Sequence, residues 1–304
     1  MNTAEPLPTS NSVRDLSNFL TGRRVLVLSG AGLSTESGIP DYRGPETGKR
    51  PRNPMRYQEF VGSAAARQRY WARSFRGWSN IQQARPNAGH AALAQLEAGG
   101  VVTGVITQNV DGLHFAAGSR EVLELHGSLA RVRCLSCGRE EARPRLQRRL
   151  FHLNPDLETF VVETATIAPD GDAEVPPDLV ATFRVPSCLA CGGVLKPDVV
   201  FFGENVPKER VERAWRLFDA AEVLLVVGSS LTVFSGYRFV VAAAKAAKPV
   251  AVVNVGVTRG DACATLKLER PLGEVLPLLA ETLLAETLLA DTLSADILLP
   301  TPRP

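Results

Sequence analysis

No stretch of about 18 uncharged apolar residues occurs in this 304-residue sequence, so no helix is expected to span a bilayer. Neither sign of charge is in excess: 34 Lys and Arg against 32 Asp and Glu leave a net charge of +2. Composition therefore gives no electrostatic case for binding nucleic acid or a membrane surface. The N-terminal stretch MNTAEPLPTSNSVRDLSNFL has no basic segment leading into an apolar one, and it is neither Arg-rich nor free of acid. Neither a secretory nor an organellar import signal is expected, and a cytoplasmic location is. Cysteine is scarce as well, at five residues, but four of them form two C-x-x-C pairs, Cys134/Cys137 and Cys188/Cys191. In a reducing compartment such pairs point to zinc ligands rather than disulfides. Cys263 stands apart and is expected to act as a small buried hydrophobe. With 45% hydrophobic and 22% charged residues, the chain can bury one large domain and a smaller one.

Apolar, β-branched runs recur along the chain: RVLVLSG (24–30), GVVTGVITQN (100–109), EVLELHG (121–127), DVVFFGE (198–204), AEVLLVVGSS (221–230) and KPVAVVNVG (248–256). Helix-like stretches such as AGHAALAQLEAGG and PKERVERAWRLFDAAE lie between them. Strands that are apolar on both faces and alternate with helices predict a parallel α/β sheet. Ligands of such sheets bind beyond the carboxyl ends of the strands, which here carry SGAG, TQNVDG, HG, FGE, GSS and NVG. Residues 50–84, rich in Arg, read as a helical insertion, and 131–191, holding the cysteine pairs, have few sheet-like runs. The C-terminal LLAETLLAETLLADTLSADILL repeats every five residues, a step of about 140° on a helix, so its acids line no single face. It is expected to be a low-complexity extension, loosely helical or disordered.

Gly30 and Gly32 follow the first strand as a Gly-x-Gly whose third glycine is replaced by Thr35. They are expected to let backbone N–H groups approach a pyrophosphate, with Ser34 and Glu36 as nearby hydrogen-bonding groups. The missing glycine argues against a hydride-transfer enzyme. Gly228, Ser229 and Ser230, then Asn254 and Gly256, end two further strands with small or polar residues, and three such ends together favour a dinucleotide. Gln108, Asn109 and Asp111 bring two amides and a carboxylate, though Asn-Val-Asp-Gly is also good turn chemistry. His126 is a candidate general base, since imidazole titrates near pH 6.5, but the sequence does not rank it above His114. C-x2-C, 50 residues, then C-x2-C supplies four thiolates, which fill a tetrahedral zinc site and make it structural. A nucleic-acid-binding ribbon would need a basic stripe that is absent.

The set GAG-x-S-x-x-SGIPDYRG, TQNVDGLH, ELHG, paired C-x-x-C, KPDVVFFGE, GSSL and NVG, in this order, resembles the sirtuin family of NAD-dependent protein deacylases over residues 15–276. RQRYWARSFRGW and the loop with LNP and APDGD are most similar to class II, mitochondrial-type sirtuins and their bacterial relatives; without an import signal, a bacterial protein is favoured. The resemblance implies an α/β fold: a Rossmann-like domain (22–50, 86–130 and 192–279) and a small domain made of a helical module (51–85) and a zinc-binding module (131–191). Residues 1–21 would be an N-terminal extension and 280–304 the tail. It further implies that Gly30, Ala31, Gly32, Ser34 and Glu36 face the pyrophosphate, and that Asp41, Tyr42 and Arg43 belong to a loop closing over the ribose and nicotinamide. Gly228, Ser229, Ser230, Asn254, Val255, Gly256 and Leu272 would hold the adenosine half, and Gln108, Asn109 and Asp111 the nicotinamide and its ribose. An acyl-lysine peptide would add a strand beside Val200, Phe202, Gly203 and Glu204. The acyl oxygen would attack ribose C1′ as nicotinamide leaves, and His126 would deprotonate a ribose hydroxyl, giving O-acyl-ADP-ribose and free lysine. In sirtuins that remove acidic acyl groups, a Tyr and an Arg three residues on hold the distal carboxylate; Tyr70 and Arg73 have that spacing, the alternative being a packing or solvated face of an Arg-rich helix. Transfer of ADP-ribose to protein, lipoamidase activity and a non-enzymatic NAD-binding module are the competing expectations.

Overall fold

The computed structural model describes residues 12–43, 54–155 and 168–297; residues 1–11, the expected boundary at 50/51 and the end of the tail at 298–304 lie outside them. Six strands build the main sheet: β1 (Val25–Ser29), β2 (Val102–Thr107), β3 (Val122–Glu124), β7 (Val223–Val227), β8 (Val250–Val253) and β9 (Leu266–Leu268). They are ordered β3-β2-β1-β7-β8-β9 with every neighbouring pair parallel. β1 thus lies centrally, and the chain winds outward on one side before crossing to the other. That reversal between β1 and β7 is the switch point of a doubly wound sheet.

The strands are apolar throughout because both faces are covered. Alternate residues point to opposite faces. Val25, Val27, Val105, Leu225 and Val253 pack with α1 (Val13–Leu20), α4 (Ala88–Ala98) and α10 (Leu272–Ile297). Leu26, Leu28, Ile106, Val226 and Val252 pack with α8 (Lys208–Ala220) and α9 (Phe234–Lys245). Short α5 (Leu113–Ala116) follows β2.

A second core lies beside this sheet. It joins α2 (Tyr57–Gly62), α3 (Ala64–Gln83), α6 (Arg143–Leu153) and α7 (Pro177–Thr182) to a three-stranded antiparallel sheet of β5 (Glu140–Ala142), β4 (Gly127–Cys134) and β6 (Leu195–Val199). In α3, Ser63 caps the N-terminus by accepting from Ala66 N at 3.2 Å, and Tyr70, Trp71, Phe75 and Trp78 bury the inward stripe.

Three expectations need correction. The run 198–204 is no strand of the parallel sheet: the strand is Leu195–Val199, and it pairs antiparallel with β4. β9 was not expected, its three residues being too short for a periodic signal. Residues 13–20 and 280–286 are not appendages, because Leu16, Leu20, Ala280 and Leu283 lie in the main core and α10 runs unbroken through position 280. The five-residue repeat hid this: its acids line no single face, yet Leu279, Ala280 and Leu283 of its first two units pack into the main core. Leu283→Ala, at 3% exposure, should therefore cost about 2–4 kcal/mol in urea unfolding; a loss under about 0.5 kcal/mol would mean the tail does not contribute to the core.

Candidate active site

At the switch point the loops after β1 and β7 touch backbone to backbone. Gly30 N donates to Val227 O at 3.0 Å and Gly32 N to Gly228 O at 2.9 Å. A Cβ on Gly30 would lie 2.7 Å from Ser229 Cβ, and one on Gly228, whose φ is +60°, 2.5 Å from Leu33 N. The glycines are thus required by loop-on-loop packing. Their own N–H groups are used inside the protein, so any backbone donors to a pyrophosphate come from the neighbouring residues of the loop.

A cavity of about 600 Å³ opens beside this contact. Its lining includes Gly30, Ala31, Gly32, Ser34, Asp41, Tyr42, Arg43, Gln108, Asn109, Asp111, His126, Gly228, Ser229, Ser230, Asn254, Val255 and Gly256. That volume suits a large polar ligand. Hydroxyl, amide and carboxylate groups face it, and Arg43 supplies a cation suited to a pyrophosphate. The residues present therefore fit a dinucleotide. Two expected members lie outside the lining: Glu36 accepts from Gly273 N at 3.0 Å, near the start of α10, and Leu272 is buried in the core against Gly228. The carboxylate of Glu36 meets the positive end of a helix rather than repelling a phosphate.

One connected network fixes the polar wall. Asn109 Nδ2 donates to Gly30 O and to Ser34 Oγ, both at 3.1 Å, and Ser34 Oγ donates to Asp111 Oδ2 at 2.7 Å. Asp111 Oδ1 accepts from Leu113 N at 2.9 Å; burial raises its pKa, against the pull of these donors. Gln108 Nε2 donates to Ser229 Oγ at 2.8 Å.

His126 stands where the two sheets join, between β3 and β4. Its carbonyl accepts from Val200 N at 2.8 Å, and Gly127 next to it has φ +82°, with a Cβ there placed 1.9 Å from Asp198 O. Gly127 is thus demanded by the tight crossing. His126 Nδ1 lies 3.0 Å from Gln108 O and Nε2 2.7 Å from Ser235 Oγ. A carbonyl only accepts, so Nδ1 carries the proton and Nε2 the lone pair. Burial lowers the pKa to about 4, with Arg238 and Arg210 acting in the same direction and the Gln108 bond against it. The imidazole is neutral at pH 7, as a base requires. His114 is separated from it: it is buried outside the lining, with Nε2 2.8 Å from Ser29 Oγ. Ser235 was missed, because a serine in VFSGYRF carries no local signal of the histidine beside it.

Val200, Phe202, Gly203 and Glu204 line the cavity beyond His126, with Phe202 at 39% exposure and 6.4 Å edge-on to Tyr42. Glu204 Oε2 accepts from Phe201 N at 2.8 Å and pairs with buried Lys196 at 2.9 Å, so it holds the turn's shape. Tyr70 lines the cavity, packed on Phe60 and Phe201; burial and then Asp170 and Asp172 raise its pKa, keeping the hydroxyl protonated. Arg73 does not line it. Its Nε lies 2.9 Å from Asp172 Oδ1 and donates to Ala173 O at 3.0 Å. The expected Tyr70–Arg73 carboxylate clamp is therefore not formed: i, i+3 spacing shares a helix face, but the 168–173 loop captures the guanidinium.

Cys134, Cys137, Cys188 and Cys191 converge, all four sulfurs within 4.8 Å of one another. Tetrahedral Zn²⁺ with Zn–S near 2.3 Å needs sulfurs about 3.8 Å apart; Cys134–Cys191 is 3.5 Å and Cys137–Cys188 3.8 Å. The thiolate set fits structural zinc.

A doubly wound sheet with a cavity at its switch point, joined to a four-cysteine module, is shared with known proteins. The model of the Sir2 family matches residues 30–235, and this chain belongs to that family. NAD-dependent protein deacetylase 1 of Mycobacterium avium (strain 104) is 55% identical over 271 residues, 88% of this chain and 95% of that one. Human mitochondrial NAD-dependent protein lipoamidase sirtuin-4 is 47% identical over 280 residues, 91% and 88% of the two chains. A solved structure described as Sir2-p53 peptide-NAD+ superposes with a TM-score of 0.70 at 30% identity, covering 89% of this chain and 98% of that one. The sirtuin resemblance, class II included, holds. Among the described residues, no helix is long and apolar enough to cross a membrane.

Two further buried histidines act with His126 to set a pH limit on stability. His90 and His114 stack edge to face at 5.2 Å, and burial lowers their pKa values to about 4 and about 3, the charge of His90 adding to the effect on His114. Folded, both stay neutral; unfolded, both bind protons near pH 6.5. Stability is complete above that value and falls as pH drops from 6.5 towards the folded values, by up to about 1.4 kcal/mol per pH unit for each histidine. Urea unfolding across this range should show the slope, and His114→Gln should reduce it; an unchanged slope would contradict the assignment.

Proposed function

We propose that this chain removes acyl groups from lysine side chains of proteins at the expense of NAD. The carrying observation is His126, a neutral imidazole that lines the cavity of the dinucleotide switch point, with Nδ1–H fixed on Gln108 O and its Nε2 lone pair accepting from Ser235 Oγ. The names of the deacetylase relatives and the peptide-and-NAD complex of a structural neighbour support the same activity. When bound, NAD supplies the ribose carbon that takes the acyl oxygen, and nicotinamide as the leaving group.

The chain's own groups then have distinct tasks. Ser230, Asn254, Val255 and Gly256 receive the adenosine half, and Ala31, Ser34 and Arg43 the pyrophosphate side. Gln108, Asn109 and Asp111 orient the nicotinamide end, held by the Ser34 hydroxyl between amide and carboxylate. Asp41 and Tyr42 cover the ribose. The peptide backbone lies along Val200–Gly203, extending the β6 edge by strand addition. Ile39, Met55, Val110, Tyr70 and Phe201 form an apolar arm for the acyl chain. Holding acyl oxygen and ribose carbon in line replaces a bimolecular encounter, an effect worth roughly 7–11 kcal/mol. His126 takes a ribose hydroxyl proton, a contribution of about 10²–10⁴ in rate. The four cysteines hold zinc away from this chemistry. The proposed domain division follows the one expected from the sequence, with α1 and the first turns of α10 joined to the Rossmann-like part.

The apolar arm, together with the lipoamidase name of the human relative, supports longer uncharged acyl groups as substrates besides acetyl. Incubation with NAD and acetyl-, octanoyl-, lipoyl- and succinyl-lysine peptides, read by mass spectrometry, tests this. Free lysine, nicotinamide and O-acyl-ADP-ribose should form in equal amounts from uncharged acyl peptides, and His126→Ala should lose at least about 10²-fold in kcat with unchanged thermal unfolding. ADP-ribose attached to protein without deacylation would favour the transferase alternative, and NAD binding without turnover a regulatory module.

A further inference from the structure

The Ser235 hydroxyl occupies the one nitrogen of His126 that can act as a base. Ser235 lies in the first turn of α9, lines the cavity, and sets Oγ 2.7 Å from His126 Nε2. Because Nδ1 holds the ring proton against Gln108 O, the hydroxyl is the donor and Nε2 the acceptor. Its position is enforced from behind. A Cβ on the next residue, Gly236, would lie 2.5 Å from Gln108 Oε1, so this turn of α9 rests directly on the Gln108 side chain. Gln108 is in turn held by Ser229 Oγ at 2.8 Å, and Ser235 O accepts from Arg238 Nε at 3.0 Å. The same glutamine residue thus fixes both partners, the base through its carbonyl and the serine through its side chain. A ligand hydroxyl entering the cavity meets a base whose lone pair is already covered by a second hydroxyl. That hydroxyl oxygen retains lone pairs with which to accept.

We propose that Ser235 is a proton-relay residue for His126. The ribose hydroxyl of the co-substrate gives its proton to Ser235 Oγ as Ser235 gives its own to His126 Nε2. Oγ loses one O–H bond and gains another, Nε2 gains a proton, and the ribose oxygen keeps the electron pair with which it attacks the acyl carbon. The imidazolium so formed keeps its Nδ1–H on Gln108 O. This inference rests on the deacylase activity proposed above.

Three measurements on the full chain test it. In ¹⁵N-histidine spectra of the ligand-free protein, assigned with His126→Ala, the unprotonated Nε2 signal of His126 should be shifted by an accepted hydrogen bond. Ser235→Thr should keep that shift and Ser235→Ala should lose it. Under single turnover with NAD and an acetyl-lysine peptide, Ser235→Ala should slow free-lysine formation about 10- to 100-fold, with NAD affinity within about twofold, and Ser235→Thr should recover most of the rate. The wild-type rate in H₂O–D₂O mixtures should curve, as two protons in flight require, and straighten in Ser235→Ala. A linear wild-type dependence would overturn the relay even if Ser235→Ala failed to fold. So would an Nε2 signal unmoved by Ser235→Ala, or a Ser235→Ala effect confined to NAD affinity. A wild type that deacylates no peptide would remove the deacylase activity and the relay with it, whereas a competent wild type matched by Ser235→Ala would remove the relay alone.

Discussion

Everything at the site depends on how closely the loops after β1 and β7 approach. Gly30 lies against Ser229 and Gly228 against Leu33 at distances where no Cβ fits, a Cβ on Gly32 would press on Gly228 at 3.0 Å, and Gly228 adopts a left-handed backbone conformation suited to glycine. From that contact the polar wall radiates: Asn109 reaches Gly30 O, Gln108 reaches Ser229, and Ser34 links Asn109 to Asp111. Wider packing would separate these partners and leave buried amides without acceptors, at about 1–3 kcal/mol each.

The second constraint is the junction of the two sheets. β3 belongs to the parallel sheet and β4 to the antiparallel one, and two residues, Leu125 and His126, join them. Gly127 permits the crossing, and Val200 N ties the small sheet to the His126 carbonyl. The proposed base is therefore carried by the same residues that connect the parallel sheet to the loop at Val200–Glu204. In the proposed reaction this puts the proton acceptor at the seam between the two sheets.

Much of this was legible in the sequence. Runs such as VLVLS and VLLVV announce strands buried on both faces, and the polar strand ends announce a site. The cysteine spacing announced a metal site because zinc tolerates few ligand arrangements. What was not legible depends on contacts between distant segments. Glu36 sits beside glycines yet meets the start of α10, because that helix packs over the first loop. Arg73 has the right spacing from Tyr70 but is captured by Asp172, a hundred residues away in the chain. Ser235 approaches His126 through the packing of α9 on Gln108, which no local pattern encodes. The repeat in α10 masked a helix whose first turns are core. The run at 198–204 looked like a parallel strand because strand propensity carries no information about pairing direction.

Calorimetry of NAD binding to Gly228→Ala tests directly whether the loop contact shapes the site. A Cβ there would meet Leu33 N at 2.5 Å, and the backbone at φ +60° resists a side chain. NAD affinity should fall at least about tenfold, corresponding to about 1.4 kcal/mol, while zinc content stays at one per chain. Unchanged NAD affinity in the folded variant would contradict it.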